Sequence, residues 1–130
     1  MPQLADFNVT LFDKVRSIYI DFTAPDAQKI KDIESITREA IRKPAGTGNL
    51  RANLGSSDTV AVMIEDQTRY SPKKVILKVL IEELEASGLE RKNITIVVSL
   101  GTHRKLTSDE LGDVYGKDIV KNYSVVNHDF

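Results

Sequence analysis

Two short polar clusters in this sequence hold side chains that could move a proton or grip an anion. The first, Glu65-Asp66-Gln67-Thr68-Arg69, sets a carboxylate beside a guanidinium whose planar fork suits a carboxylate or a phosphate. The second, Gly101-Thr102-His103-Arg104, places an imidazole, able to exchange a proton near neutral pH, just after a glycine that permits a tight turn or a close approach to a ligand. A third cluster, Asn127-His128-Asp129, holds the other histidine. Asp66 has the chemistry to orient a base, a hydroxyl or a lysine. The plain alternative is that Asp66 and Arg69 pair with each other on a loop and that His103 is an ordinary loop histidine. His128 reads as a structural group at a strand end, and Arg104 and Lys105 read as solvent-facing. The two histidines lack the i, i+4 helical spacing and a third ligand, so no metal site is expected. Gly46-Thr47-Gly48 has no preceding strand and no Gly-Lys-Ser/Thr, so it reads as a connecting loop.

Each cluster follows an apolar run of strand length: Val60 to Ile64, Ile94 to Val98, and Tyr123 to Val126. If the three strands are parallel members of one sheet, their carboxyl ends share the edge where open α/β sheets bind ligands. The run at 59–64 is nearly continuous, as in a strand covered on both faces, and 93–100 reads as another buried strand. Between them, Ser71 as N-cap, Pro72 at the first helical position, an apolar stripe of Ile76, Leu77, Leu80, Ile81 and Leu84, and Gly88 beyond the end predict a helix over 72–87. Thr107 and Glu110 form a capping box that opens a helix to Tyr115. Upstream, residues 15–22 read as a strand. Residues 30–42 read as a helix that Asp32 or Asp26 could cap and Pro44 stops. Tyr19, Tyr70, Tyr115 and Tyr123 read as packing residues. The order strand–helix–strand–helix–strand predicts a three-layer, Rossmann-like α/β fold: a mainly parallel sheet with helices on both faces, its amino-terminal strand possible as an antiparallel edge.

The chain has 130 residues, the size of one domain, and its 41% apolar content supplies one core. With 18 basic and 19 acidic residues there is no basic excess to hold nucleic acid. There is no cysteine, hence no disulfide, thiolate metal site or thiol nucleophile. No segment has the length of a membrane span and the start is not a signal peptide, so a cytoplasmic domain is expected, with no membrane partner. The chain stops within a residue or two of an apparent strand, which suggests a piece of a longer protein whose missing part would leave apolar surface open to self-association.

Taken together, these segments resemble the nickel-dependent lactate racemase family. Asp66-Gln67-Thr68-Arg69, followed by a proline and an apolar helix, is similar to that family's Asp-x-Thr-Arg segment. Gly101-Thr102-His103-Arg104, with Thr107, Glu110 and Leu111, is similar to its Gly-x-His-Arg segment and the helix after it. Lys117-Asp118-Ile119-Val120, Asn122 and His128 continue the likeness, and Ala40 to Gly46 matches the family's Asn-Pro-Ile-Gly loop less specifically. The resemblance covers about residues 32–129. It implies an enzyme that interconverts stereoisomers of a 2-hydroxy acid by moving a hydride to and from a lysine-tethered nickel-pincer nucleotide derived from nicotinic acid. By motif, Asp66, Gln67, Thr68 and Arg69 would contact the cofactor, Arg69 would also meet the substrate carboxylate, and His103 would be one of two acid/base histidines. In the family the second such histidine, the tethering lysine and the nickel-ligating histidine lie beyond the point where this chain stops. The resemblance therefore makes residues 1–130 a single unit, the first part of an amino-terminal domain. It would be inactive and cofactor-free alone, and would depend on the missing carboxyl-terminal part. The alternatives from the residues alone are a non-catalytic nucleotide- or carboxylate-binding module using Arg69, and a scaffold whose Asp66, Arg69 and His103 only satisfy one another.

Overall fold

Val60 to Glu65 extends as strand β1 because its run of branched apolar residues fits a pleated, covered surface. The computed structural model describes residues 32–46 and 48–129. The expected strand at 15–22 and Tyr19 lie outside them. After β1 come helix α3 (Lys73–Ala86), strand β2 (Ile94–Ser99), helices α4 (Ser108–Tyr115) and α5 (Lys117–Asn122), and strand β3 (Ser124–Asn127). Two helices precede β1: α1 (Ile33–Arg42) and the single turn α2 (Leu50–Asn53). The sheet order is β1-β2-β3 and both pairings are parallel. The α/β architecture with a parallel sheet is therefore as expected, and the strand ends do share one edge.

Both crossovers run the same way across the sheet, so right-handed connections put α3, α4 and α5 on one face. Burial agrees. In register, Val62, Ile96 and Val125 line the face toward the helices, Ile96 fully buried and Val62 7% exposed. They meet Leu77, Ile81 and Leu84 of α3 and Leu111 and Tyr115 of α4 in one core. On the opposite face Met63, Val97 and Val126 align, with Met63 73% and Val126 42% exposed. Among the described residues β1 is thus covered on one face only, where its unbroken apolar run suggested two.

The boundaries of α3 and α4 hold within about a residue and α1 ends where expected, but α1 starts at Ile33, three residues later than expected, because Asp32 caps it, and the end chemistry differs in places. Pro72 is the N-cap of α3, and Ser71, expected to cap, instead donates its hydroxyl to the Glu65 carboxylate. The stripe of α3 also rotates: Val79 is fully buried while Ile76 is 38% exposed, because α1 and α2 cover a second side of α3. Tyr70, expected to pack, is fully exposed. Gly88 stands past the helix end with φ +100°, a conformation natural to glycine at a C′ position. The capping box of α4 is present: Thr107 Oγ1 accepts from the Glu110 N–H and Glu110 returns a bond to the Thr107 N–H. Gly116 (φ +113°) then breaks the chain into α5, which periodicity did not reveal. Asn49 likewise caps the unforeseen turn α2.

Helix α1 is capped by Asp32, whose carboxylate accepts from the Ser35 N–H at 2.9 Å, and it buries no residue. It docks on α3 through charge. Arg38 reaches Glu82 at 2.6 Å and Glu83 at 3.0 Å, and Arg42 reaches Glu83 at 2.8 Å. Glu83 is only 3% exposed, and its carboxyl is held below the usual range first by Arg42, then by Arg38.

Candidate functional site

The polar segment after β1 folds on itself. Asp66 is 4% exposed, and its Oδ1 accepts both the Thr68 N–H at 3.0 Å and the Thr68 hydroxyl at 2.6 Å, an Asx-type turn. Its Oδ2 meets Nδ1 of His103, delivered from the next strand. This contact follows from the register. Glu65 pairs with Ser99, so the segments just past β1 and β2 emerge side by side. Gly101 (φ +57°) turns the chain there, and the His103 N–H donates to the Leu100 carbonyl at 3.0 Å.

The protonation pattern follows from the bonds. The Thr68 hydroxyl, then His103, hold the Asp66 carboxyl down at about 2, so it is an ionised acceptor at neutral pH. An ionised carboxylate cannot donate, so the proton between the two groups sits on Nδ1. In the neutral form of the imidazole Nε2 then carries the lone pair, and the side chain is 51% accessible.

Beneath this pair lies a framework that residue types alone did not flag. The Tyr115 hydroxyl, fully buried on α4, donates to the Glu65 carbonyl at 2.8 Å. Burial first, then the Asp66 and Glu65 carboxylates, push its phenol up to about 12, so it remains a donor. Lys73, 8% exposed, donates to the Arg69 carbonyl and lies 3.8 Å from the Glu65 carboxylate. A sequence signal for Lys73 did exist: a cation in the first turn of a helix opposes the helix dipole and calls for a nearby acid. Asn127 at the end of β3 bonds both backbone groups of Leu106. Its only signal was its place at a strand end.

The expected site residues divide as follows. Asp66 and His103 are brought into contact. The alternative pairing of Asp66 with Arg69 is not what forms. Gln67, Thr68 and Arg69 are exposed on the same turn, and the Arg69 guanidinium has no ion-pair partner among the described residues. Arg104 is exposed as expected, yet it grips Glu110 with two bonds, at 2.8 and 2.6 Å. That guanidinium, then the Thr107 N–H, hold the Glu110 carboxyl down at about 2. His128 lies at the same edge, its N–H donating to the Val98 carbonyl at 3.0 Å and so extending the β2–β3 ladder. Two hollows lie elsewhere. One of about 600 Å³ runs along Ser35, Arg38, Glu39 and Arg42, and one of about 330 Å³ along Asn49, Arg51 and Glu83. In the first, Arg38 pairs with Glu34 and Lys43 with Glu39, and in the second Arg42 and Arg51 pair with Glu83, so chemistry, not volume, points to Asp66 and His103 as the candidate site.

The Arg69 guanidinium on the exposed turn that carries Asp66, and the start of α3 four residues on, which no side chain caps, are the donors available there to an anion. That donor set fits a phosphate or carboxylate group of the cofactor that the resemblance implies. Among the described residues no three His, Cys, Asp or Glu side chains are grouped to hold a metal ion, and no helix is long and apolar enough to cross a membrane.

The fold is thus an α/β domain whose parallel sheet carries a paired carboxylate and imidazole at its carboxyl edge. The chain belongs to the lactate racemase N-terminal domain family, whose model matches residues 6–130. It is 29% identical over 96 residues to the lactate racemase of Thermoanaerobacterium thermosaccharolyticum, a match covering 74% of this chain and 22% of that protein. It is 29% identical over 100 residues to the lactate racemase of Lactiplantibacillus plantarum, covering 77% of this chain and 23% of that protein. The solved structure of the lactate racemase apoprotein from T. thermosaccharolyticum is similar, with a TM-score of 0.66 at 27% identity over 87% of this chain and 28% of that one. The chain therefore spans less than a quarter of the length of these curated relatives.

Proposed function

We propose that this chain is the first part of the amino-terminal domain of a 2-hydroxy acid racemase or epimerase and contributes one half of its site. The observation that carries the reading is the Asp66–His103 pair, made between the ends of adjacent parallel strands. His103 is the acid/base group. Asp66 holds Nδ1–H, so Nε2 takes the proton of a substrate hydroxyl as the neighbouring carbon loses hydride, and returns it afterwards. Arg69 offers its fork to the carboxylate of the acid. The exposed turn from Gln67 to Arg69 and the start of α3 would hold the nickel-pincer nucleotide, with Asp66 shaping that turn through Thr68. When bound, that group supplies the hydride acceptor. A second histidine on the opposite face of the substrate carbon, needed to handle both stereoisomers, would come from the rest of the polypeptide.

The test is made in the longer polypeptide that carries this domain, loaded with cofactor. His103→Ala is expected to lower racemisation by about 10²–10⁴-fold, the range that general acid–base catalysis supplies, with cofactor retention intact. Unchanged turnover in that variant would remove the acid/base assignment. Arg69→Ala is expected to raise KM for the hydroxy acid. We place the protein in the cytoplasm. The exposed Met63 and Val126 are where self-association of the isolated chain would form, and sedimentation at rising concentration reads it out.

A further inference from the structure

The loop that carries His103 is held from the far strand. Asn127 closes β3, and its side-chain amide reads both backbone groups of Leu106. Oδ1 accepts from the Leu106 N–H at 3.1 Å and Nδ2 donates to the Leu106 carbonyl at 2.9 Å. Leu106 is itself 5% exposed and part of the core, so the two bonds pin backbone whose side chain is already sunk. Beside it, Lys105 Nζ donates to Asp129 at 2.7 Å. The His128 N–H to the Val98 carbonyl, at 3.0 Å, fixes the end of β3 to β2. At the other end of the loop Leu100 is 2% exposed. His103 therefore stands midway between two buried leucines, and one of them is gripped through its backbone.

Only an amide fits this grip. Aspartate would turn an acceptor toward the Leu106 carbonyl, and leucine would offer neither bond. Placement matters because a catalytic group displaced by about 1 Å can lose about 10²-fold in rate.

We propose that Asn127 is a positioning residue for His103: by clamping Leu106 to the end of β3 it seats the imidazole on Asp66 and so fixes the tautomer with Nε2 free. The proposal rests on reading His103 as the acid/base group. Its readout, however, needs neither cofactor nor hydroxy acid, so it stands or falls apart from the racemase assignment.

The experiment is imidazole nitrogen NMR on the 130-residue chain at neutral pH, together with amide exchange at Leu106. In the unaltered chain His103 is expected to carry its proton on Nδ1. Asp66→Asn, which removes the ionised acceptor, is expected to shift the ring toward the Nε2–H form while Leu106 stays protected. Asn127→Ala is expected to produce the same tautomer shift and, in addition, exchange at Leu106 faster by about tenfold. An Asn127→Ala chain that is folded, has lost protection at Leu106, and still holds the proton on Nδ1 would show that Asn127 serves stability alone and overturn the proposal. Should that variant not fold, Asn127→Asp preserves the side-chain volume and puts the same question. A spectrum unchanged from the parent there overturns the proposal equally.

Discussion

At the scale of single residues, the site is governed by what Asp66 accepts. Its leading bond partner is the Thr68 hydroxyl, ahead of His103. Thr68→Val is therefore expected to raise the Asp66 titration midpoint from about 2 part of the way toward 3.8, followed through the side-chain carboxyl carbon by NMR. The sign for stability follows. A carboxyl whose folded value is depressed contributes stability that is complete above its unfolded value and is lost as pH falls through the folded one. For Asp66 that window runs from 3.8 down to about 2, so the turn at 66–69 should loosen only in strong acid. Midpoints for the two chains that coincide would sink this account. Asp66, Arg69 and His103 were legible in the sequence because their chemistry is carried by residue type. Tyr115 and Asn127 were not, because tyrosine and asparagine are common surface or packing residues, and Lys73 was marked only by being a cation in the first turn of a helix. The roles of Tyr115 and Asn127 depend on a carbonyl supplied by a distant segment, and that of Lys73 on a turn that presents the Arg69 carbonyl four residues back.

At the scale of elements, α3 and α1 are attached by different physics, and that separates their behaviour. Helix α3 buries Leu77 and Leu84 at 1% exposure each. Leu77→Ala should cost about 2–5 kcal/mol, by lost transfer free energy and the cavity left behind, read from urea unfolding. Helix α1 has no buried residue of its own and is tied by Arg38 and Arg42 to Glu82 and Glu83. Salt at about 1 M shortens electrostatic reach to about 3 Å. It should therefore speed amide exchange in α1 while leaving β2 protected, and equal salt response in both elements would argue against an ionic dock. The strands and helices were legible from apolar period, Gly88 and the Thr107–Glu110 box, since these are local signals. The burial of Val79 in place of Ile76 was not legible, because which side of α3 is covered depends on where α1 and α2 pack. Helix α5, six residues long, is too short to show a period and follows Gly116, which reads equally well as an end.

At the scale of the whole molecule, the chain spans 22% and 23% of the two curated lactate racemases it matches, and the proposed half-site draws its second acid/base histidine from the rest of the polypeptide. The isolated 130 residues, given nickel and the pincer nucleotide, are expected to leave the optical rotation of a single lactate enantiomer constant; racemisation by this chain alone would refute the half-site. The sequence by itself determined the parallel α/β plan and the polar clusters at the strand ends, because strand length, helix period, caps and turn residues act over a few positions. It left open whether Asp66 would pair with Arg69, three residues away, or with His103, thirty-seven away. The parallel register of β1 on β2 decided that. It brings Glu65 opposite Ser99, so the Asp66 carboxylate finds the imidazole within bonding distance while Arg69 stays exposed.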